Sequence, residues 1–183
     1  MCAVTQPIER IAIVAHHAQA GALQLGGKIS RFLQKRGVSV AFYDSIYDPI
    51  LVESVQNKQV QVLIATGGDG TMLRAGHLCA SSSTPILGIN FGRFGFLTEV
   101  RQDQWEEMID RLLEGNYWLE HRMMLRALHC RSETDNHPTA VLGSWDVLNE
   151  IVVCRGMMVR PIHIDTYVDD YLLTSYVADG LIA

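Results

Sequence analysis

The sequence predicts an α/β protein, in which a parallel-sheet α/β domain is followed by the start of an all-β, sandwich-like domain. Two observations support this prediction. Short apolar runs alternate with segments of helical periodicity through the first part of the chain, which is the pattern of βαβ units. After Gly115, strand-like segments follow one another without a helical pattern between them. We therefore place a boundary near residues 116–122 and expect domains over residues 1–120 and 121–183.

The α/β part begins with Ile11-Ala12-Ile13-Val14-Ala15, a continuous apolar run expected of a strand that is covered on both faces. Residues 19–36 carry apolar side chains at helical spacing, and Gly37 is a helix-stop signal. The same reasoning predicts further strands at residues 38–43, 61–66 and 85–90, and further helices at residues 71–80 and 102–113.

The second part of the chain has the pattern of strands. Strand-rich segments are predicted at residues 117–130, 141–154 and 162–182. Turn-forming residues separate shorter stretches within and between these segments, at residues 136–138, 155–156 and 169–170. We expect these strands to begin a β-sandwich.

Composition excludes several classes of function. The chain has 183 residues, 48% of them hydrophobic and 19% charged, with a net charge of −5. This balance provides no broad basic surface for nucleic acid or for an anionic membrane. No apolar run reaches the roughly 18 residues of a transmembrane helix, and the N-terminus lacks a signal-peptide core. We therefore predict a cytoplasmic protein that binds neither nucleic acid nor membrane.

The cysteines and histidines predict no metal-binding set. Cys2, Cys79, Cys130 and Cys154 are far apart and form no Cys-x-x-Cys pair, so we expect free thiols in a reducing cytosol. The seven histidines show no metal-ligand spacing. No residue is therefore predicted to be a dedicated metal ligand.

Gly67-Gly68-Asp69-Gly70 follows the third predicted strand and precedes a predicted helix. Ligands of open α/β sheets bind beyond the carboxyl ends of the strands, where this segment lies. Glycines let the main chain approach a phosphate, and a helix start offers N–H donors. A carboxylate among such donors repels a phosphate, so Asp69 would accept a proton from an attacking hydroxyl or hold Mg²⁺. A tight glycine turn with an exposed aspartate is the structural alternative.

Two further segments carry candidate binding residues. Gly88 lies in the next predicted strand, and Gly92 and Gly95 follow it, so two glycine-rich loops would converge on one crevice. Alternatively, the phenylalanines of this loop simply pack on the core. Asn149 and Glu150 are adjacent polar residues within a predicted strand, so at least one should face inward and need a partner. An asparagine offers both a donor and an acceptor to an adenine or ribose edge, whereas an exposed edge strand would need no ligand.

Together these motifs resemble the NAD kinase family in its bacterial form. The resemblance rests on Gly67-Gly68-Asp69-Gly70-Thr71, Gly88-Ile89-Asn90 with Gly92 and Gly95-Phe96-Leu97, Arg122-Met123-Met124-Leu125, Asn149-Glu150 and Ala178-Asp179-Gly180-Leu181-Ile182. Their order and spacing match over essentially the whole chain. Gly-Gly-Asp-Gly alone is also similar to the signature of 6-phosphofructokinases and lipid kinases, and the Asn-Glu and Asp-Gly-Leu-Ile segments favour NAD kinase.

The resemblance implies phosphorylation of the adenosine ribose 2′-hydroxyl of NAD, with ATP or polyphosphate as donor and a divalent cation, Mg²⁺, as cofactor. It implies that Asp69 is the proton acceptor. The residues that match dinucleotide-binding positions are Gly68, Asp69, Gly70, Arg74, Asn149, Glu150, Arg160 and Asp179. Residues 1–120 would then form a nucleotide-binding domain and residues 121–183 an incomplete NAD-binding domain. A homo-oligomer, either a dimer or a tetramer, is also implied.

Two other functions remain open from the sequence: a lipid or sugar kinase of the same superfamily, and a non-catalytic NAD(P)-binding module. The family continues beyond the Asp-Gly-Leu-Ile segment, whereas this sequence stops at Ala183. We therefore expect an N-terminal portion of the enzyme, which alone turns over far below the roughly 1–100 s⁻¹ typical of kinases. We also expect this portion to self-associate through exposed strand edges and apolar faces.

Overall fold

The computed structural model describes residues 7–91, 95, 97–131, 140–156 and 160–183. The chain divides into two compact units, Met1–Arg122 and Met123–Ala183. The first unit is α/β, and the described elements of the second are all strands, so the predicted fold class is confirmed. In the described part of the chain, no helix is both long enough and apolar enough to cross a membrane.

The first unit is built on a parallel five-stranded sheet with the order β2-β1-β3-β4-β5. Its strands are β1 (Arg10–Ala15), β2 (Ser39–Tyr43), β3 (Val62–Gly67), β4 (Ile86–Asn90) and β5 (Val100–Arg101). Its helices are α1 (Ala20–Gln34), α2 (Pro49–Gln56), α3 (Asp69–Ala80) and α4 (Trp105–Leu113). The winding reverses between β1 and β3, so the crevice at their carboxyl ends is the topological switch point where open α/β sheets bind ligands.

Two apolar layers cover the two faces of this sheet. Ile11 and Ile13 pack on one face with buried residues of α1 and α4. Ala12 and Val14 pack on the other face with buried residues of α2 and α3. Successive side chains of a strand point to opposite faces, so burial of both faces explains why the central strands are continuous apolar runs.

Helix α2 is missing from the sequence prediction. Only Leu51 and Val55 of its eight residues are buried, so its apolar repeat is too short to stand out. The sequence signal for this helix is the capping pattern at its N-terminus. Oδ1 of Asp48 accepts hydrogen bonds from the amides of Ile50 at 2.8 Å and Leu51 at 3.3 Å, and Pro49 is the first helical residue. An Asp-Pro pair before a short apolar repeat therefore marks this helix.

The second unit consists of three antiparallel pairs of strands. Its strands are β6 (Leu125–Arg131), β7 (Ala140–Val147), β8 (Val152–Cys154), β9 (Ile162–Val168), β10 (Tyr171–Ala178) and β11 (Gly180–Ile182). β6 pairs with β7, β9 with β10 and β8 with β11. None of the residues described in this unit is buried, and large apolar side chains such as Trp145 and Leu173 are exposed. Backbone hydrogen bonds, rather than a core within the described residues, hold these pairs together.

We expect Asp48→Ala to lower the free energy of unfolding by about 1 kcal/mol, because two amides at the start of α2 lose their acceptor. Urea denaturation followed by circular dichroism measures this change. Glu53→Ala is the control, since Glu53 is an exposed residue in the middle of the same helix. Equal effects of the two substitutions would show that the cap does not stabilise the helix.

Candidate active site

The Gly-Gly-Asp-Gly segment forms the junction between β3 and α3. Gly67 ends the strand, Gly68 is the extended residue before the helix (φ −104°, ψ −167°), and Asp69 is the first helical residue. The amides of Thr71 and Met72 donate to the carbonyl oxygen of Gly68 at 2.9 and 3.2 Å. The helix thus begins earlier than the predicted start at Thr71, because the low helix propensity of glycine hides its first turn. In that turn the helix dipole favours the negative charge of Asp69.

The three glycines of this segment have different surroundings. A Cβ at Gly67 would collide with the Thr71 side chain, so packing requires glycine there. A Cβ at Gly68 or Gly70 would meet no atom of the described chain within 4 Å. None of the three has a positive φ, which is the usual reason for glycine in a tight turn. Gly68 and Gly70 instead leave the backbone at the helix start open to a ligand, which argues against the simple glycine turn.

The Asp69 carboxylate lies where the two glycine-rich segments meet. Its Oδ1 accepts a hydrogen bond from the Leu97 amide at 3.0 Å. A Cβ at Gly95 would fall on the same carboxylate. The structure therefore brings the two segments together, as the sequence predicts. The members of the second segment that lie outside the described residues are Gly92, Arg93, Phe94 and Phe96.

A small cavity opens beside α3 at the carboxyl ends of β1 and β2. Its volume is about 130 Å³, and it is lined by residues 14–17 and 44–47 together with Thr71 and Arg74. Thr71 is only 6% exposed, and its hydroxyl has no hydrogen-bond partner among the described residues. Nδ1 of His16 is also a buried atom without a hydrogen-bond partner in the described part of the chain. Buried polar groups normally have partners, so these two atoms point to a ligand that carries polar groups.

The wall of this cavity that α3 provides suits an anionic oxygen group, whereas the Asp44 carboxylate lines another part of the cavity. Arg74 is an exposed cation on α3, one turn beyond the Thr71 hydroxyl, and both residues line the cavity. A guanidinium binds phosphate oxygens through paired donors, and the first turn of a helix adds the positive end of its dipole. The family resemblance implies that Arg74 contacts the dinucleotide, and in the structure Arg74 lines this cavity.

The described residues contain no group of three or more His, Cys, Asp or Glu side chains that could hold a metal ion. Mg²⁺ differs from most metals because one or two carboxylates, together with substrate phosphates and water, suffice to bind it. Asp69, at a helix start that is open through Gly68 and Gly70, fits this mode of binding. The residues present are thus compatible with a cation that binds together with a phosphate.

Asn149 and Glu150 lie in the bend between β7 and β8, and not within a strand. Both residues are exposed, so the expectation that one of them faces inward is wrong. That expectation came from the apolar residues on either side, which suggest one continuous strand. The chain instead bends after Val147, and β8 begins only at Val152. The bend leaves both polar side chains accessible to a ligand.

Asp179 lies in the bend between β10 and β11. Its carboxylate forms an ion pair with Nε of Arg155 at 3.3 Å, and the Arg155 amide donates to the Asp179 carbonyl oxygen at 2.9 Å. The carboxylate is 71% exposed, so the pair is solvated. Arg160 is also exposed and lies shortly before β9. The Arg155 contact thus fixes the backbone beside Asp179 and leaves its side chain accessible.

The pairing of β8 with β11 relates these residues to one another. At one end of this pair Val152 lies opposite Ile182. Asn149 lies shortly before Val152 in the chain and therefore lies beyond this end. Asp179 precedes the other end, next to Gly180. The two candidate groups of the second unit therefore lie beyond opposite ends of one short strand pair, which is roughly 10 Å long at about 3.4 Å per residue.

Three features of the site escaped the sequence analysis: the Thr71 hydroxyl, the His16 ring and the Arg155 ion pair. His16 directly follows the last residue of β1, and this position at a carboxyl strand end is a signal for ligand binding. Thr71 lies in the first turn of α3, beside the more conspicuous glycines and carboxylate of its motif. The sequence predicts a turn at Arg155, and its partner Asp179 is too distant in sequence for a local pattern to reveal the ion pair.

Comparison with known proteins identifies the family. The family model described as ATP-NAD kinase N-terminal domain matches residues 11–117. The chain belongs to the NAD kinase family. It is similar to NAD kinase of Moorella thermoacetica, with 47% identity over 120 residues that cover 66% of this chain and 36% of that protein. It is also similar to NAD kinase of Pseudomonas entomophila, with 32% identity over 184 residues that cover 97% of this chain and 60% of that protein.

A solved structure shows the same fold. Yeast NADH kinase, crystallised in complex with NADH, has a TM-score of 0.74 and 17% sequence identity, over 97% of this chain and 57% of that one. At this identity the likeness concerns the fold, which has an α/β unit followed by antiparallel strands. The resemblance drawn from the motifs is thus confirmed at the level of the NAD kinase family. The chain spans 36% to 60% of the lengths of these relatives.

We expect Thr71→Val to raise the free energy of unfolding of the ligand-free chain by about 1 kcal/mol, because valine keeps the shape and removes an unpaired buried hydroxyl. Urea denaturation without nucleotide measures the change. Thr66→Val is the matched control, since the fully buried Thr66 hydroxyl donates to the Ala22 carbonyl oxygen at 3.2 Å and its loss should destabilise. If both substitutions destabilised the protein equally, the Thr71 hydroxyl would have a partner within the protein, and its assignment to a ligand would be contradicted.

Proposed function

We propose that this protein transfers a phosphoryl group from ATP to the 2′-hydroxyl of the adenosine ribose of NAD, giving NADP and ADP. The observation that carries the proposal is the Asp69 carboxylate at an open helix start, at the switch point of a parallel sheet. Family membership supports the choice of NAD over lipid or sugar acceptors. Polyphosphate is an alternative donor with the same chemistry.

The proposed reaction uses Asp69 as the proton acceptor. The 2′-oxygen of the ribose forms a bond to the γ-phosphorus, the bond between that phosphorus and the β,γ-bridging oxygen breaks, and ADP leaves with the bonding electrons. The 2′-hydroxyl proton passes to the carboxylate of Asp69. Such transfers depend mainly on positioning and charge neutralisation, and the protein forms no covalent intermediate.

We propose that the donor phosphates use the cavity beside α3. The Thr71 hydroxyl and the Arg74 guanidinium would donate to phosphate oxygens there, and the backbone at Gly68 and Gly70 would approach them closely. Mg²⁺ bound through the phosphates and water would neutralise part of their charge, which leaves the Asp69 carboxylate available as the proton acceptor. Two observations support this assignment: the Thr71 hydroxyl has no hydrogen-bond partner among the described residues, and Gly68 and Gly70 have no side chain to block the backbone.

We propose that the second unit binds NAD through Asn149, Glu150, Arg160 and Asp179. All four are exposed, and Asn149 and Asp179 lie beyond opposite ends of one strand pair, which suits an extended dinucleotide. In this assignment residues 1–120 carry the donor site and the base, and residues 121–183 belong to the NAD-binding domain. The complex of the yeast relative with NADH supports a dinucleotide ligand.

A cytoplasmic, homo-oligomeric protein is part of the same proposal. Cys79, Cys130 and Cys154 are free thiols, as suits a reducing compartment. Burial raises the pKa of the Cys79 thiol to about 12, so this group stays protonated and inert at neutral pH. Sedimentation of the purified protein distinguishes a dimer or tetramer from a monomer.

We expect Asp69→Asn to lower kcat by roughly 10²–10⁴-fold, because asparagine keeps the shape but cannot accept the hydroxyl proton. The measurement is mass-spectrometric detection of NADP after incubation of the purified protein with NAD, ATP and Mg²⁺. Asp103→Asn is the control, since Asp103 is an exposed carboxylate that pairs only with Arg101 among the described ion pairs. Retention of more than about a tenth of kcat, by the same scale, would remove Asp69 from this role.

Asn149→Ala should weaken NAD binding more than it slows the chemical step. The lost amide leaves polar groups of the ligand unpaired, at about 1–3 kcal/mol, or roughly 5- to 150-fold in affinity. Titration calorimetry with NAD measures the affinity, and Asn116→Ala provides an exposed asparagine outside the site as control. Unchanged NAD affinity would refute the assignment. NAD binding by the wild type without any ATP-dependent product would favour a non-catalytic binding module.

A further inference from the structure

We propose that Gly95 is a positioning residue for the Asp69 carboxylate, a role that rests on the proposed function of Asp69 as proton acceptor. Gly95 and Leu97 belong to the second glycine-rich segment, and Asp69 begins α3. Two contacts join them. The Leu97 amide donates to Oδ1 of Asp69 at 3.0 Å, and the side-chain space of Gly95 is occupied by the Asp69 carboxylate.

The closest steric contact at Gly95 is with Asp69. The three atoms nearest to a Cβ at this position are the two carboxylate oxygens and Cγ of Asp69, and all of them would overlap with it. Gly95 has no positive φ, so its backbone conformation is open to alanine, and the Asp69 carboxylate is the group that a side chain would meet first. The Asp69 carboxylate therefore occupies the space that a side chain at position 95 would need.

The neighbour that must move distinguishes Gly95 from Gly88. A Cβ at Gly88 would overlap with Sδ of Met72 at 2.5 Å, but methionine is flexible and can adopt another rotamer. Asp69 has a short side chain with two torsion angles, and one of its oxygens is hydrogen-bonded to the Leu97 amide. An alanine at Gly95 must rotate the carboxylate and break this hydrogen bond, or displace the backbone that carries both.

This arrangement fixes the carboxylate relative to the start of α3. A proton acceptor acts only within hydrogen-bond reach of the proton that it takes, and a displacement of about 1 Å can lower a rate by roughly 10²-fold. Backbone groups of one loop thus orient a side chain on the neighbouring helix. Gly95 itself acts only through Asp69.

The experiment compares Gly95→Ala with Gly27→Ala as the matched control. Gly27 lies on α1, where a Cβ would have Arg31 Nη1 as a neighbour at 3.8 Å, an ordinary van der Waals distance, and therefore fits. Gly95→Ala should lower kcat by roughly 10-fold or more and leave the KM for NAD within about 2-fold, as expected when orientation rather than binding is lost. Gly27→Ala should leave both constants unchanged. Wild-type kcat in Gly95→Ala would overturn the inference.

A double-mutant cycle tests whether Gly95 acts through Asp69. In the Asp69→Asn background, where the proton acceptor is already absent, Gly95→Ala should change the residual rate by less than about 2-fold. Equal losses in the two backgrounds would show that Gly95 acts independently and would overturn the proposed role.

A second readout does not depend on activity. Hydrogen exchange of the Leu97 amide, followed by NMR, should accelerate in Gly95→Ala and in Asp69→Ala, and stay unchanged in Gly27→Ala. Unchanged exchange in the first two variants would overturn the inference, whatever their catalytic rates.

If the wild type forms no NADP, the proposed function fails, and the exchange measurement still decides whether Gly95 orients the Asp69 carboxylate. If Gly95→Ala is too unstable, Asp69→Ala combined with Gly95→Ala should restore stability by removing the overlapping carboxylate.

Discussion

The pairing of β1 with β3 is the interaction on which the α/β site depends. The two strands are in parallel register from Ile11 opposite Val62 to Ala15 opposite Thr66, and the pairing continues into the loop, where the His16 amide donates to the Thr66 carbonyl oxygen at 3.1 Å. The Thr66 hydroxyl is fully buried and donates to the Ala22 carbonyl oxygen of α1. These bonds fix where β1 and β3 end, and so they fix both the cavity beside His16 and the helix start at Asp69.

The same constraint explains why glycine and aspartate can follow β3 directly. Apolar layers on both faces hold the strand, so the residues beyond its end need not contribute to the core. They are then available to keep backbone groups open and to present a charge, which would be costly inside the core. Functional groups on rigid strand ends and helix starts are placed more accurately than groups on loops. Asp69 has this support, and the Leu97 amide adds to it.

The sequence predicted those parts of the fold that have a long or strongly apolar signal. The buried strands and the helices α1, α3 and α4 were found because burial of whole faces imposes a periodicity. Helix α2, with two buried residues, and β5, with only Val100 and Arg101, are too short for such a signal. Asn149 was wrongly placed within a strand because a bend between two apolar stretches leaves no trace in periodicity. The contact of Gly95 with Asp69 depends on tertiary structure, and the motif alone could not reveal it.

The two units provide different kinds of support for their candidate residues. In the first unit a complete core surrounds the strands that carry Asp69, whereas no described residue of the second unit is buried. Asn149, Glu150 and Asp179 lie in bends at the ends of three-residue strands. Ordering such segments costs free energy when a ligand binds, so these residues contribute to affinity only after that cost is met. Under the proposed function, the geometry of the proton acceptor would therefore depend on the α/β unit, and the affinity for NAD would depend on how firmly the bends of the second unit are held.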